Sequence, residues 1–204
     1  MGERRRIALP DGGWLQLNTD SVVDIAYDAH TRRVRLSAGE MLVQTAPDSA
    51  GRAFWVDTPL GRLQALDTRF AVRLDGSDAR LSVQEGAVAV MLALRHESAG
   101  VIEAGRQARF DRKGLYGETT LEADSLAWSE GYLVARQWTL GCLCAELARY
   151  RPGVLRCDPA VAKLAISGVF SLDQPEQAIA ALQRSLPVRA HYRTRWWVTL
   201  VPLA

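Results

Sequence analysis

Residues 140–153 read LGCLCAELARYRPG and residues 165–188 read AISGVFSLDQPEQAIAALQRSLPV, and these segments decide the fold of the last third of the chain. The first segment predicts a short amphipathic helix that a proline–glycine pair ends. Pro175 and Glu176 begin a second helix, since proline and an acidic residue both suit a first helical turn. The predicted order is strand, helix, strand, strand, helix, strand, strand. This order predicts a small α+β module in which no residue pattern is catalytic.

The module contains all three cysteines of the chain, Cys142, Cys144 and Cys157. Cys144 falls on the apolar stripe of the first helix, so we expect it to be buried, whereas Cys142 lies off the stripe and should be exposed. An odd number of cysteines gives no closed disulfide set. A Cys144–Cys157 bridge in an oxidising compartment is one option, and free thiols are the other. We expect no metal site, because the histidines are far apart in sequence: His30, His96 and His191. We expect no cofactor either.

Residues 6–115 predict a mainly β domain of layered antiparallel sheets around one core. Short runs of alternating apolar and polar residues end at glycine-containing turns, as strands do. A strand–glycine–strand pattern recurs three times, around Gly39, Gly86 and Gly105. In such runs successive side chains point to opposite sides, so only one face of each strand is apolar. Residues 116–125 then predict a linker, and residues 126–204 form the α+β module.

Composition excludes several classes of protein. The 204 residues include 25 Lys and Arg against 23 Asp and Glu, and a net charge of +2 does not predict a nucleic-acid partner. No apolar run approaches the roughly 20 residues of a membrane span. The basic run Arg4–Arg6 predicts a solvated tail, and the opening residues are not typical of a signal peptide. Because no G-x-S-x-G, H-E-x-x-H or phosphate-loop motif is present, we do not expect an enzyme.

Two stretches of the β domain carry a family resemblance. Residues 9–18 read LPDGGWLQLN and are followed by Ser21; residues 54–58 read FWVDT, and Gly61 and the run LDTRFAV at 66–72 follow. In this order and spacing they resemble the signatures of FecR-like regulators, the iron-dicitrate-type sensors of Gram-negative bacteria. The C-terminal module resembles the secretin and TonB short N-terminal domain that completes those regulators. The resemblance covers nearly the whole chain.

The resemblance implies a signalling role in the periplasm. A FecR-like anti-sigma regulator binds the signalling domain of an outer-membrane TonB-dependent receptor, which carries a siderophore or another substrate. It then controls an extracytoplasmic-function sigma factor through a cytoplasmic segment and an inner-membrane helix. Both parts lie outside this sequence, so we expect a periplasmic fragment of a longer protein; a short natural homologue is the alternative. We expect the fragment to be a monomer.

A partner of this kind needs a complementary surface and sheet edges that can accept a strand. We place that surface on the C-terminal module, in the segment 138–151 and in the last strand. Arginine and tryptophan are favoured interface anchors. Core packing is the alternative for Tyr150. The candidate partner-binding residues are Trp138, Arg149, Tyr150, Arg151, Trp196 and Trp197.

The resemblance also points to Asp67 and Thr68. Some FecR-like proteins cleave themselves at a Gly-Thr bond in this motif, where the threonine hydroxyl attacks the preceding carbonyl and the resulting ester is hydrolysed. Here an aspartate replaces the glycine. Its Cβ restricts the turn, and its carboxylate disfavours an oxyanion at the neighbouring carbonyl. We therefore expect the chain to stay mostly intact, and the simpler interpretation makes Thr68 an ordinary strand residue.

Two other functions remain open from the sequence. An extracellular ligand- or glycan-binding module would need several exposed aromatic residues in a cleft of the β domain. The aromatic residues there all lie in strand patterns, which favours core positions for Trp14, Tyr27, Trp55 and Phe70. A secretin-like ring assembly is the other option, and the attached β domain argues against it.

Overall fold

The computed structural model describes residues 2–93 and 98–203, apart from the side chain of Leu66. The chain divides into two compact units, residues 4–126 and residues 127–204 together with residues 1–3. The first unit consists of strands β1 (Arg5–Ala8), β2 (Trp14–Leu17), β3 (Val22–Tyr27), β4 (Arg32–Ala38), β5 (Glu40–Gln44), β6 (Phe54–Asp57), β7 (Gly61–Asp75), β8 (Asp78–Leu92), β9 (Ser98–Glu103), β10 (Arg106–Phe110) and β11 (Leu115–Thr120).

The eleven strands of the first unit join in one hydrogen-bonded sheet around a single core, in agreement with the predicted β class. Its main path runs β1-β2-β5-β7-β6-β4-β3, β8 pairs with the other edge of β7, β9 and β10 pair with β8, and β11 pairs with β10. Pairing is antiparallel except between β4 and β6, which are parallel. Alternation places the apolar residues inward as predicted, and Val34 and Leu36 are fully buried.

Two expectations about this unit need correction. The predicted linker begins inside a strand, because β11 pairs with β10 through its backbone and needs no apolar side chains for that. The basic run at the N-terminus is not only a tail, since Arg5 and Arg6 belong to β1, which pairs with β2. Both segments are polar, and hydrophobic patterning does not report a strand held by its backbone alone.

Three residues with positive φ lie beside one another on neighbouring strands, and two of them are recurrent glycines. The second copy of the pattern is one continuous strand, β8, and Gly86 inside it adopts a φ of +73°. Asp67 at φ +47° lies opposite Gly86, in a bulge of β7. Gly105, at φ +75°, separates β9 from β10. We call Asp67, Gly86 and Gly105 the bulge row; bulges of this kind bend and twist the strands.

Buried polar contacts explain the first signature of the β unit. The Asn18 side-chain amide donates to the Glu40 carboxylate at 2.7 Å, and the Ser21 hydroxyl donates to the Glu40 carbonyl at 2.7 Å. Asp11 accepts from Arg32 at 2.9 Å, and both side chains are almost completely buried. Each motif residue therefore contributes a hydrogen bond to a buried polar group.

The second unit has the predicted order of elements. After a short 3₁₀ turn (Ala127–Glu130) come β12 (Tyr132–Thr139), α1 (Leu140–Ala148), β13 (Val154–Cys157), β14 (Ala165–Ser171), α2 (Pro175–Ser185), β15 (Val188–Thr194) and β16 (Trp197–Pro202). β12 pairs antiparallel with β14. A three-stranded sheet has the order β13-β16-β15, in which β13 and β16 are parallel.

The helices of this unit form where the sequence predicts them. The α1 stripe, Leu140, Leu143, Cys144 and Leu147, is buried, and Cys142 is exposed, as predicted. The Thr139 side chain caps α1 by accepting from the Cys142 amide. Apolar residues of α1 and α2 pack in one cluster with the inward residues of the three-stranded sheet, among them Leu155, Val198 and Leu200. The two helices of this cluster pack on one side of the three-stranded sheet. The opposite side of the sheet forms the surface described next.

Candidate partner-binding surface

The outer side of the three-stranded sheet carries arginines around a tryptophan. Strand alternation sends Val198 and Leu200 inward and Trp197 outward, between the neighbouring strands β13 and β15. Outward residues of those strands complete the surface. We call it the basic face, and it consists of Arg156, Arg189, His191, Arg193 and Trp197.

Trp197 lies between two guanidinium groups. The Arg156 guanidinium is 5.1 Å from the centre of the indole ring, and the Arg193 guanidinium is 5.6 Å from it. At the β15–β16 turn, Arg195 lies 4.6 Å from the ring centre of Trp196, whose side chain is 47% exposed. Such cation–π contacts hold long arginine side chains in place while their charges stay accessible.

The basic face is not neutralised by its own strands. β13, β15 and β16 contain no Asp or Glu. Arg156, Arg189 and Arg193 are exposed, and within residues 2–93 and 98–203 none of them forms an ion pair. A surface with unpaired guanidinium groups around an aromatic ring is suited to a partner that supplies carboxylates.

The six predicted partner-binding residues separate into exposed and buried positions. Trp196 and Trp197 lie at or on the basic face. Trp138 is only partly exposed, since it packs against the core of the second unit. Arg149 is occupied locally, because its guanidinium donates to Glu146 at 3.0 Å and lies 5.7 Å from the ring centre of Tyr150.

Tyr150 and Arg151 are core residues, so their predicted role as contact residues needs correction. Tyr150 is 5% exposed and Arg151 2% exposed. The Arg151 guanidinium donates to Glu176 at 2.6 Å and to the carbonyls of Arg195 and Trp196 at 3.1 and 3.3 Å. Burial removes Arg151 from any contact surface, but its hydrogen bonds position the turn that carries Trp196.

The arginines of the basic face were not among the residues predicted from the sequence to bind a partner. Arg189, His191 and Arg193 alternate along β15, and this period of two was the available signal. Arg156 had no comparable signal, because it joins the face only through the parallel pairing of β13 with β16.

Asp67 and Thr68 lie at the bulge row. Asp67 is exposed and adopts a left-handed backbone conformation in spite of its Cβ. Thr68 is 1% exposed; its amide donates to the Thr45 hydroxyl at 2.8 Å, and its carbonyl accepts from the Thr45 amide at 3.0 Å. Its own hydroxyl is buried and has no hydrogen-bond partner in the described part of the chain.

The aromatic residues weighed for a glycan site are not exposed. Phe70 is fully buried, and Tyr27 packs against the core of the first unit. Trp14 is covered by Arg6, whose guanidinium is 4.1 Å from the ring centre. Arg62 lies 5.3 Å from the ring centre of Trp55 in the same way. These four side chains therefore do not offer the stacking platform that a sugar ring would need.

Possible ligands of other kinds find little support among the described residues. In residues 2–93 and 98–203 no three His, Cys, Asp or Glu side chains come together as a metal site would require, and His96 lies outside those residues. A pocket of about 390 Å³ on the first unit includes Asp57 and Arg62. Those two side chains form an ion pair at 2.7 Å, so they already satisfy each other.

No helix in the described residues has the length and apolar character needed to cross a membrane.

Comparison with known proteins agrees with the motifs. Residues 1–89, just under half of the chain, match the family model described as FecR protein. Over this range the chain is similar to FecR proteins. Both signatures quoted from residues 9–21 and 54–72 fall inside the matched range, so the resemblance drawn from them is confirmed.

Two crystal structures share the fold of this chain over its whole length. Both are of a candidate anti-sigma factor from Parabacteroides distasonis, at 2.50 and 1.65 Å resolution. Each has a TM-score of 0.76 and 21% sequence identity, over 100% of this chain and 96% of the other. At this identity the likeness is one of fold. No curated protein matches the chain significantly.

Proposed function

We propose that this FecR-like chain is the periplasmic signalling part of an anti-sigma regulator that binds the signalling domain of an outer-membrane TonB-dependent receptor. The family match supports a regulatory, non-enzymatic role. The related fold of a candidate anti-sigma factor supports the same direction. The sequence resemblance of the C-terminal module to the secretin and TonB short N-terminal domain supports the choice of receptor.

The basic face is the observation that carries this proposal. Trp197 supplies a large apolar contact area, while Arg156 and Arg193 supply charge and hydrogen-bond donors on either side of it. Both helices pack on the other side of the sheet, so the face is presented by a supported scaffold. Interface hot spots are enriched in this combination of tryptophan and arginine. We therefore expect an acidic patch on the receptor's signalling domain.

Signalling then follows from binding alone. A receptor loaded with a siderophore or another substrate presents its signalling domain in the periplasm, and the basic face binds it. The bound state reaches an extracytoplasmic-function sigma factor through a membrane helix and a cytoplasmic segment of the regulator. In this scheme the chain regulates iron uptake without transforming a molecule.

A calorimetric titration tests the proposal directly. The chain is titrated with the signalling domains of the TonB-dependent receptors encoded in the same genome, and we expect saturable binding to one of them. The double variant Arg156→Glu/Arg193→Glu should weaken that binding by at least about tenfold, since close interfacial charge pairs contribute about 1.5 kcal/mol or more. Added salt should weaken the wild-type complex as well, because exposed charges are screened.

The matched control is Arg184→Glu. Arg184 is exposed on α2, which packs against the opposite side of the sheet, so the same charge reversal there should leave the affinity nearly unchanged. If the wild-type chain binds none of the receptor domains, the partner is wrong and the ligand-binding alternative gains weight. If binding occurs but its affinity is unchanged by the charge reversal at Arg156 and Arg193, the receptor binds another surface.

A further inference from the structure

Two cysteines from different elements meet in the core of the second unit. Cys144 lies on the buried stripe of α1 and is 2% exposed. Cys157 points inward from β13, on the same side as Leu155, and is partly buried against the same cluster. Both are free thiols, and both belong to the apolar cluster in which α1 packs on the three-stranded sheet. Nothing in the chemistry of a partner-binding surface requires this pair.

The third cysteine is excluded from the pair by helix geometry. Cys142 precedes Cys144 by two residues, and side chains at that spacing on a helix point in different directions. Its side chain is exposed, whereas Cys144 faces the core. Cys142 could reach Cys157 only if the first turn of α1 unwound, and that turn is capped by Thr139.

We propose that Cys144 and Cys157 form a disulfide bond when the chain is in an oxidising compartment. The inference depends on the proposed function only for the periplasmic location. The bond closes a loop that contains residues 145–156, and the last of these is Arg156 of the basic face. It also links α1 covalently to β13.

The oxidant is a disulfide donor, either a thiol–disulfide oxidoreductase or oxidised glutathione. The Cys157 thiolate attacks one sulfur of the donor, forms a mixed disulfide and releases the first donor thiol. Cys144 then loses its proton to solvent and attacks the Cys157 sulfur, which releases the second donor thiol. The two cysteines lose two electrons and two protons in total, and the donor disulfide gains them.

The difference in burial sets this order of attack. Cys157 is the more accessible sulfur, and burial raises the pKa of its thiol. Burial raises the pKa of the Cys144 thiol to about 12, and the neighbouring Cys157 adds to that increase. Cys144 therefore acts second, as the group that resolves a mixed disulfide already in contact with it.

Peptide mapping tests the proposal in Cys142→Ser, because Cys142 and Cys144 share one tryptic peptide, residues 137–149. The purified chain is equilibrated with oxidised glutathione, denatured, alkylated and digested. We expect residues 137–149 and 157–163 as one joined peptide, two hydrogens lighter than the sum of the reduced peptides. After treatment with a thiol reductant both cysteines should be alkylated instead. In the wild-type chain, Cys142 should carry a glutathione adduct after oxidation and an alkyl group after reduction, and it should not be joined to residues 157–163.

Thermal unfolding provides the second measurement. Without reductant, Cys142→Ser should unfold at a higher temperature than with reductant, and Cys157→Ser should show no difference between the two conditions. Two free thiols in oxidised Cys142→Ser, or a glutathione adduct on Cys157 alone, would overturn the proposal. That failure would leave the receptor titration unaffected, because the titration is done with the reduced chain.

Discussion

At the scale of the residue, Asp67 is where this chain departs from the Gly-Thr motif that it resembles. The backbone has kept the glycine conformation, with φ at +47°, and the Thr68 hydroxyl is buried without a partner among the described residues. The left-handed turn is therefore open to Asp67 despite its Cβ. The remaining obstacle to self-cleavage is the carboxylate, because it places negative charge beside a carbonyl oxygen that would have to become an oxyanion.

We predict that the wild-type chain stays intact and that Asp67→Gly and Asp67→Asn both cleave at least about fivefold faster. Repulsion between two charges about 4 Å apart contributes about 1 kcal/mol even in water, and both variants remove it. Intact-mass spectrometry over time would detect fragments 1–67 and 68–204. Asp67→Gly/Thr68→Ala is the control, since it lacks the nucleophile. Fragments from the wild-type chain would contradict the prediction, and acceleration in Asp67→Gly alone would assign the block to the backbone.

Arg151 shows how far a residue-level prediction can miss. Next to a proline–glycine turn, an arginine is usually exposed, and no local signal announces carbonyl partners more than forty positions later in the chain. We predict that Arg151→Ala destabilises the second unit by about 3 kcal/mol, because several buried acceptors lose a charged donor. Arg151→Lys should recover only part of this loss, since an ammonium lacks the planar set of donors. Denaturant unfolding followed by circular dichroism measures both; an unchanged midpoint in Arg151→Ala would refute the positioning role.

At the scale of the element, helices were predictable and strand pairing was not. α1 and α2 follow from spacing, capping and proline placement, all of which are local. The parallel pairing of β13 with β16 joins segments about forty residues apart and is what assembles the basic face. Trp196 and Trp197 could therefore be proposed for the surface from their positions, whereas Arg156 could not.

The N-terminus of α1 offers a prediction for a single element. The Thr139 hydroxyl accepts from the Cys142 amide at 3.2 Å, and that amide has no partner within the helix. Thr139→Ala should destabilise the second unit by about 1 kcal/mol, and Thr139→Ser should retain most of the stability. The measurement is the midpoint of chemical unfolding. Equal losses in the two variants would show that the β-branched methyl group, not the cap, is the stabilising feature.

At the scale of the whole molecule, three turns of the first unit make stability depend on acid pH. Hydrogen bonds from the Arg52 side chain and amide lower the pKa of Asp48 to about 2. Backbone amides lower the pKa of Asp28 and of Asp111, from His30 and Thr31 in one turn and from Lys113 and Gly114 in the other. A lowered folded-state pKa stabilises the fold above the unfolded value near 4, and this contribution is lost as pH falls toward 2.

We therefore predict that the unfolding temperature falls between about pH 4 and pH 2, and that Asp48→Asn reduces the fall. The substituted side-chain amide is not titratable, so the Asp48→Asn variant starts less stable at neutral pH and loses less on acidification. Differential scanning calorimetry at several pH values measures both curves. Parallel curves for the two chains would show that Asp48 does not contribute.

The oligomeric state distinguishes a signalling module from a ring-forming one. We predict a monomer, so light scattering after size exclusion should give a mass near 22.5 kDa. A mass many times larger would favour the secretin-like assembly that the sequence left open.

From the change of pattern along the chain, the sequence predicted a β domain over residues 6–115, a linker over 116–125 and an α+β module from residue 126. The first unit extends to residue 126 because β11 adds a polar strand to the sheet. Alternation of apolar and polar residues predicts a strand that packs on a core. A polar edge strand that pairs only through its backbone does not show this alternation.

The bulge row has a consequence for how such chains can change in length. Asp67 in β7, Gly86 in β8 and Gly105 at the β9–β10 turn lie beside one another. Deleting one residue from β7 or β8 would therefore shift the bend of that strand relative to the bends of its neighbours. Every side chain beyond the deletion would also turn to the opposite face of the sheet. Insertions and deletions are therefore tolerated where the chain already reverses, as at Gly76, which has open space around it, and not along the strands.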